Sequence, residues 1–148
     1  MLKITPFLWF DGKAEEAANH YISIFKNSRI VNVLRTGDAG PGPKGSVLTV
    51  AFVLDGNEIT ALNGGPEFRF NEAVSFQVNC SNQEEIDYYW QKLGIGGDPK
   101  AQVCGWLKDK FGLSWQVVPT VLPEMIADHK SPKAQRVMEA LLKMKKID

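Results

Sequence analysis

The sequence predicts an α+β fold in which one order of elements, strand–helix–strands, is run through twice and then closed by a helix. Three observations carry this. Two segments with helical apolar spacing each follow a run rich in β-branched and aromatic residues. Asp55-Gly56 between two such runs is a hairpin signal. Cys104 to Val118 (CGWLKDKFGLSWQVV) reads as two strand arms around a charged turn, Lys108 to Gly112. At 148 residues and 44% hydrophobic, the chain suffices for one packed domain, residues 1–148. Its first module spans about 1–66, its second about 67–121, and a helical tail 122–148.

In the first module, Leu2 to Phe10 is a strand, and Pro6, lacking an N–H, confines it to an edge or to one-sided pairing. Lys13 to Lys26 is a helix whose apolar stripe is Ala14, Ala17, Ala18, Tyr21 and Phe25. Arg29 to Arg35, Val47 to Leu54 and Glu58 to Leu62 are strands. Between the first two of these, Gly37 to Gly45 holds four glycines and two prolines in nine residues and is a loop.

In the second module, Ala73 to Asn79 alternates as a strand. Ser81 with Glu84 forms a capping box, and Ile86, Tyr89, Trp90 and Leu93 make the apolar stripe of a helix that Gly94 closes. Gln102 to Leu107 and Ser114 to Thr120 are strands. Pro119 and Pro123 end the sheet, with a short helix at Glu124 to Asp128. Ser131-Pro132 opens the last helix, whose apolar face is Ala134, Val137, Met138, Leu141 and Leu142.

Lysine plus arginine balance aspartate plus glutamate, so the net charge is zero and nothing points to nucleic acid or an anionic membrane. Lys143, Lys145 and Lys146 suit a helix C-terminus. Cys80 and Cys104 are far apart, which fits a reducing cytoplasm. No signal peptide or membrane-spanning stretch is read. A soluble cytoplasmic protein is expected.

ITPFLWFDGKAEEAANHY, SFQVNCSNQEEIDYYW, CGWLKDKFGLSWQVVP and KAQRVMEALLKMKKID together resemble the PhnB-like proteins of the vicinal oxygen chelate superfamily, often labelled 3-demethylubiquinone-9 3-methyltransferase. The third string is the specific one. The resemblance implies paired βαβββ modules that form a curled mixed sheet around a small-molecule cavity, with helices outside. Metal-binding members of the superfamily end in D-P-D-G-N-x-x-E; the matching run here is Asp109 to Gln116, so the glutamate position carries Gln116. The histidine positions of the two first strands fall near Thr5 and near Ala73, with Ser75 and Gln77 on the latter's face. No metal site is therefore assigned and no cofactor is expected, although a divalent metal with an unusual ligand set, such as Glu58 with Gln116, is the alternative. No Gly-rich nucleotide loop opens a helix, which argues against the methyltransferase label.

The remaining chemistry-bearing residues read as structural. His20 lies on a helix face and His129 in a connection. Cys80 and Cys104 lack a partner base, although Cys80 precedes a helix start. Glu15, Glu16, Glu84, Glu85 and Asp109 sit at helix starts or in a turn. Trp90 reads as core, and the resemblance turns Gln116 to the cavity and Trp115 to the core. The cavity candidates are Thr5, Phe7, Trp9, Asn63, Ser75, Gln77, Trp106, Ser114 and Gln116. They suit a neutral or mildly polar organic ligand. The last helix and the family's habit imply a homodimer. Binding of a small organic molecule, without an assignable reaction, is the expected function. A metal-dependent lyase, isomerase or dioxygenase is the alternative, and a pure interaction module a third.

Overall fold

Pro6 cannot donate, so the first strand forms beyond it and pairs on one side alone. In the computed structural model, which describes residues 2–148, β1 is Phe7–Phe10, at one edge of a four-stranded sheet. Then come α1 (Ala14–Ile24), β2 (Arg29–Arg35), β3 (Val47–Leu54) and β4 (Asn57–Asn63). The chain divides after Arg69 into two units.

In the first unit the sheet order is β1-β4-β3-β2, with β1 parallel to β4 and the other pairs antiparallel. Asp55 and Gly56 both adopt positive φ (48° and 80°), the backbone a two-residue hairpin between right-twisted strands needs. One face of this sheet buries Leu8, Phe10, Val50, Phe52 and Ala61 under α1. The helix answers with Ala14, Ala17 and Ala18, small enough for close approach, and Tyr21, whose ring stacks on Phe52 at 6.5 Å. Ile24, rather than Phe25, completes the buried stripe, because Phe25 has already left the helix in an extended conformation.

Lys13 offers α1 no side-chain cap. The cap comes from the sheet instead. Asn63 Oδ1 accepts from the Ala14 N–H at 2.9 Å, and Asn63 Nδ2 donates to the Val47 carbonyl at 3.1 Å. One amide thus fixes the helix start to β3 and β4.

The second unit holds β5 (Ser75–Cys80), α2 (Gln83–Gly94), a 3₁₀ turn at Pro99–Ala101, β6 (Trp106–Lys108), β7 (Ser114–Pro119), α3 (Leu122–Ile126) and α4 (Pro132–Leu142). Its sheet order is β5-β7-β6, with β5 parallel to β7 and β6 antiparallel to it. The pairing rule of the first unit is repeated with one strand fewer. The expected single curled sheet is thus two sheets, of four and three strands. The expected strand from Gln102 breaks because Cys104 and Gly105 both take positive φ (51° and 85°). Val103 keeps a lone bridge to Trp106. The N–H groups of Cys104 and Gly105 donate instead to the carbonyls of Met144 and Lys145, each at 2.8 Å. A Cβ on Gly105 would lie 2.7 Å from Ile147 Cδ1, so glycine admits the C-terminal segment.

Other boundaries shift by about a residue. Asn82, not Ser81, caps α2 by accepting from the Glu85 N–H, while Glu85 reaches back to the Ser81 N–H. Gly94 is the last helical residue, and the left-handed turn falls at Gly96. Pro123 opens α3 instead of preceding it. Ser131 caps α4 as expected. Trp90 is half-buried rather than core, while Trp115 is fully buried.

Asp109 departs furthest from its reading as a solvated turn acid. It is 2% exposed, and its carboxylate accepts from the N–H groups of Phe111 (2.8 Å) and Leu113 (3.1 Å) and from Trp115 Nε1 (2.9 Å). Asp109→Ala strands these buried donors, and a loss of about 3 kcal/mol in urea unfolding is expected. Asp109→Asn should lose about half of that, because one oxygen can still accept the two backbone bonds. Equal stability of all three proteins would show that the carboxylate organises nothing.

Cys80 is fully buried, and burial, aided by the Glu85 carboxylate, pushes its thiol up to about 11. At pH 8 about one thiol in a thousand is then ionised. Titration of the folded protein with a thiol-specific disulfide reagent should leave Cys80 unreacted until unfolding. Rapid reaction of both cysteines would contradict this.

Candidate functional site

β7 divides its side chains by strand alternation. Trp115 and Val117 point to the buried side, where Phe76 meets Trp115 edge-on at 5.4 Å. Ser114 and Gln116 take the other side. The register sets Ser75 and Lys108 beside Ser114, and Gln77 and Trp106 beside Gln116. Two rows of polar or amphipathic side chains therefore cross the three strands on one face.

Within that face, Gln116 Nε2 donates to Ser75 Oγ at 2.9 Å, and Gln77 Nε2 donates to Asn79 Oδ1 at 2.9 Å. Ser114 is only 1% exposed, yet its hydroxyl has no partner among the described residues. Lys108 forms an ion pair with Glu72, and that bond holds the Glu72 carboxyl below the usual carboxylate range. A hollow of about 380 Å³ opens here, walled by Glu72, Lys100, Val103, Trp106, Lys108 and Ser114. A second hollow, of about 440 Å³, lies in the same unit among Ile86, Leu122, Met125, Val137, Leu141 and Ile147, and is mostly apolar.

Five of the nine expected site residues, Ser75, Gln77, Trp106, Ser114 and Gln116, share this sheet face. Thr5, Phe7 and Trp9 belong to the first unit; Thr5 precedes β1, and Phe7 and Trp9 take the alternation opposite to Leu8 and Phe10. Phe7 is 59% exposed. Trp9 is half-buried and donates through Nε1 to the Gly65 carbonyl at 2.8 Å. Its ring lies where a Cβ on Gly64 would come within 2.4 Å, and Phe68 meets it edge-on at 4.9 Å. Asn63 stands apart from the other eight. It has the alternation of Ile59 and Ala61, toward the helix, and its amide is engaged by Ala14 and Val47.

Sequence reasoning missed Lys108, which it placed in the charged turn, and Glu72, which it left in a connection. The alternation of Trp106, Leu107 and Lys108 was the available signal for the lysine.

For a divalent cation the oxygen donors of this face are a poor match. On the sheet they are hydroxyls and neutral amides, Gln116 spends its amide nitrogen on Ser75, and the one carboxylate in the wall, Glu72, is paired with Lys108. Among the described residues no three His, Cys, Asp or Glu side chains converge as a metal-binding group. The set is better suited to an organic molecule with acceptor oxygens.

The sequence model of a family described as "3-demethylubiquinone-9 3-methyltransferase" matches residues 2–118. The match stops short of α3 and α4. A PhnB protein from Bacillus cereus, described with the same methyltransferase name, is 40% identical over 80% of this chain and 100% of its own, with a TM-score of 0.70. Protein PA1353 from Pseudomonas aeruginosa is 23% identical over 80% of this chain and 98% of its own, at a TM-score of 0.62. The fosfomycin resistance protein FosX from Mesorhizobium loti is 12% identical over 86% and 99%, at 0.56. The last two establish likeness of fold alone. Comparison with curated proteins gave no match. The family match over residues 2–118 and the close likeness to the Bacillus cereus protein agree with the twice-used pairing rule: the chain belongs to the PhnB-like family of the vicinal oxygen chelate superfamily.

Proposed function

We propose that this protein binds a small organic molecule on the β5–β7–β6 face and does so without a divalent metal. The observation that carries the reading is Ser114, a buried hydroxyl without a partner beside a hollow of about 380 Å³. Leaving such a group unsatisfied costs about 1–3 kcal/mol, which a guest's hydrogen bond would offset. Trp106 adds a flat apolar wall next to Gln116. The geometry supports binding rather than methyl transfer. The glycine-rich Gly37–Gly45 stretch joins β2 to β3 and opens no helix, so it does not make the phosphate cradle of a nucleotide-type cofactor site.

The proposal includes a cytoplasmic homodimer. Among the described residues no helix is long and apolar enough to cross a membrane. Leu142 (64% exposed) and Met138 (38%) on α4 offer apolar surface that a second copy would cover.

A thermal-shift screen of small organic compounds tests the binding claim. A compound held at a hundred times its Kd should raise Tm by about 5–10 °C. EDTA should leave that rise unchanged, and Ser114→Val should reduce it. Stabilisation seen only with added manganese, zinc or nickel would overturn the metal-free reading.

Sedimentation at micromolar concentration tests the dimer. The native chain is expected at twice its 16.5 kDa mass, and Leu142→Glu at the monomer mass. A native monomer would refute it.

A further inference from the structure

We infer that the guest carries an anionic oxygen group on a flat apolar body, and that Lys108 receives this anion in exchange for Glu72. The inference rests on the binding face proposed above and names the class of molecule it takes. Lys108 and Trp106 are two residues apart on β6, so both side chains leave the strand on the same side. The register places Lys108 beside Ser114, whose hydroxyl has no partner among the described residues. Lys108 and Ser114 therefore both wall the one hollow. Lys100 also lines it. With Glu72 in place the wall carries one net positive charge; with Glu72 swung away it carries two.

The two partners of the ion pair differ in how firmly the fold holds them. Lys108 grows from a paired strand, and its side chain is 29% exposed. Glu72 lies outside any strand or helix, and its side chain is 61% exposed. Exposed ion pairs are weak, so a guest carboxylate can replace Glu72 at little cost, while the cation stays where the sheet put it. Behind the charge, Val103 and Trp106 supply apolar surface for a planar body. An aryl or alkenyl carboxylate offers Lys108 an anion and Trp106 a flat apolar partner. The matching amide leaves the ammonium with its original partner.

The test pairs aryl carboxylates with their own amides, beginning with benzoate against benzamide and cinnamate against cinnamamide. The indole N–H signal of Trp106, assigned through Trp106→Phe, reports binding in NMR titrations of the full chain. Carboxylates should bind at least about tenfold more tightly than their amides. Lys108→Met should abolish that preference and leave amide binding in place, and Lys108→Gln guards against a folding artefact. Glu72→Gln should tighten carboxylate binding about threefold, because the competing anion is gone. Equal binding of acid and amide, or equal loss of both in Lys108→Met, overturns the anion assignment and leaves the binding face standing. If no probe of either kind moves the Trp106 signal, the binding face itself falls, and this inference with it.

Discussion

The second unit depends on the direction of one carboxylate. Asp109 sits in the connection between β6 and β7 and turns inward, where the N–H groups of Phe111 and Leu113 and the indole of Trp115 converge on it. A carboxyl group that is 2% exposed is tolerable only with donors of this kind around it. The consequence reaches beyond the turn. Holding Trp115 from below fixes the alternation of β7, because a slip of one residue would carry the indole to the opposite face. With Trp115 buried, Ser114 and Gln116 must lie on the other side, opposite Lys108 and Trp106. The polar face thus follows from satisfying a buried hydrogen-bonding group elsewhere.

The two units solve the same topological problem with different closures. Each places its first strand parallel to its last, with a helix in the crossover. In the first unit a fourth strand, β2, covers β3, and an asparagine supplies the helix cap. In the second, no strand takes the place of β2. The C-terminal segment satisfies the Cys104–Gly105 turn through two backbone bonds, buries Ile147 against Gly105, and is tied to α2 by Lys146 with Asp87 and by Gln83 with the Ile147 carbonyl. Because the family match ends at Val118, the C-terminal half of this closure lies outside the matched region. The same tail walls the larger apolar hollow.

Regular elements were legible in the sequence because their signals are local. The edge position of β1 follows from Pro6, the β3–β4 hairpin from Asp55-Gly56, and the α4 start from Ser131-Pro132. What escaped depends on long-range geometry. Nothing near Asn63 in the chain says that its amide will cap a helix starting at Ala14, 49 residues away. Gly105 reads as an ordinary strand glycine until Ile147 is seen against it. Asp109 reads as a solvated acid because the indole that buries it is only visible as a partner once β7 is paired. Of the site, alternation placed Ser114 and Gln116 together, and it would have placed Lys108 with Trp106 had the turn been begun one residue later.

The amide at position 116 bears on what this face can hold. A glutamate there could not donate to Ser75; Gln116 does, through Nε2. Ser75 then serves as acceptor and keeps its own hydrogen for another partner. Ser114 keeps its hydrogen as well, and Lys108 lines the same hollow. Replacing a carboxylate with an amide therefore does more than remove a negative charge. It inverts the local balance from acceptors, which gather cations, to donors, which gather oxygen anions. On a sheet whose buried side is already occupied by Phe76, Trp115 and Val117, the proposed change of ligand class would leave the core undisturbed.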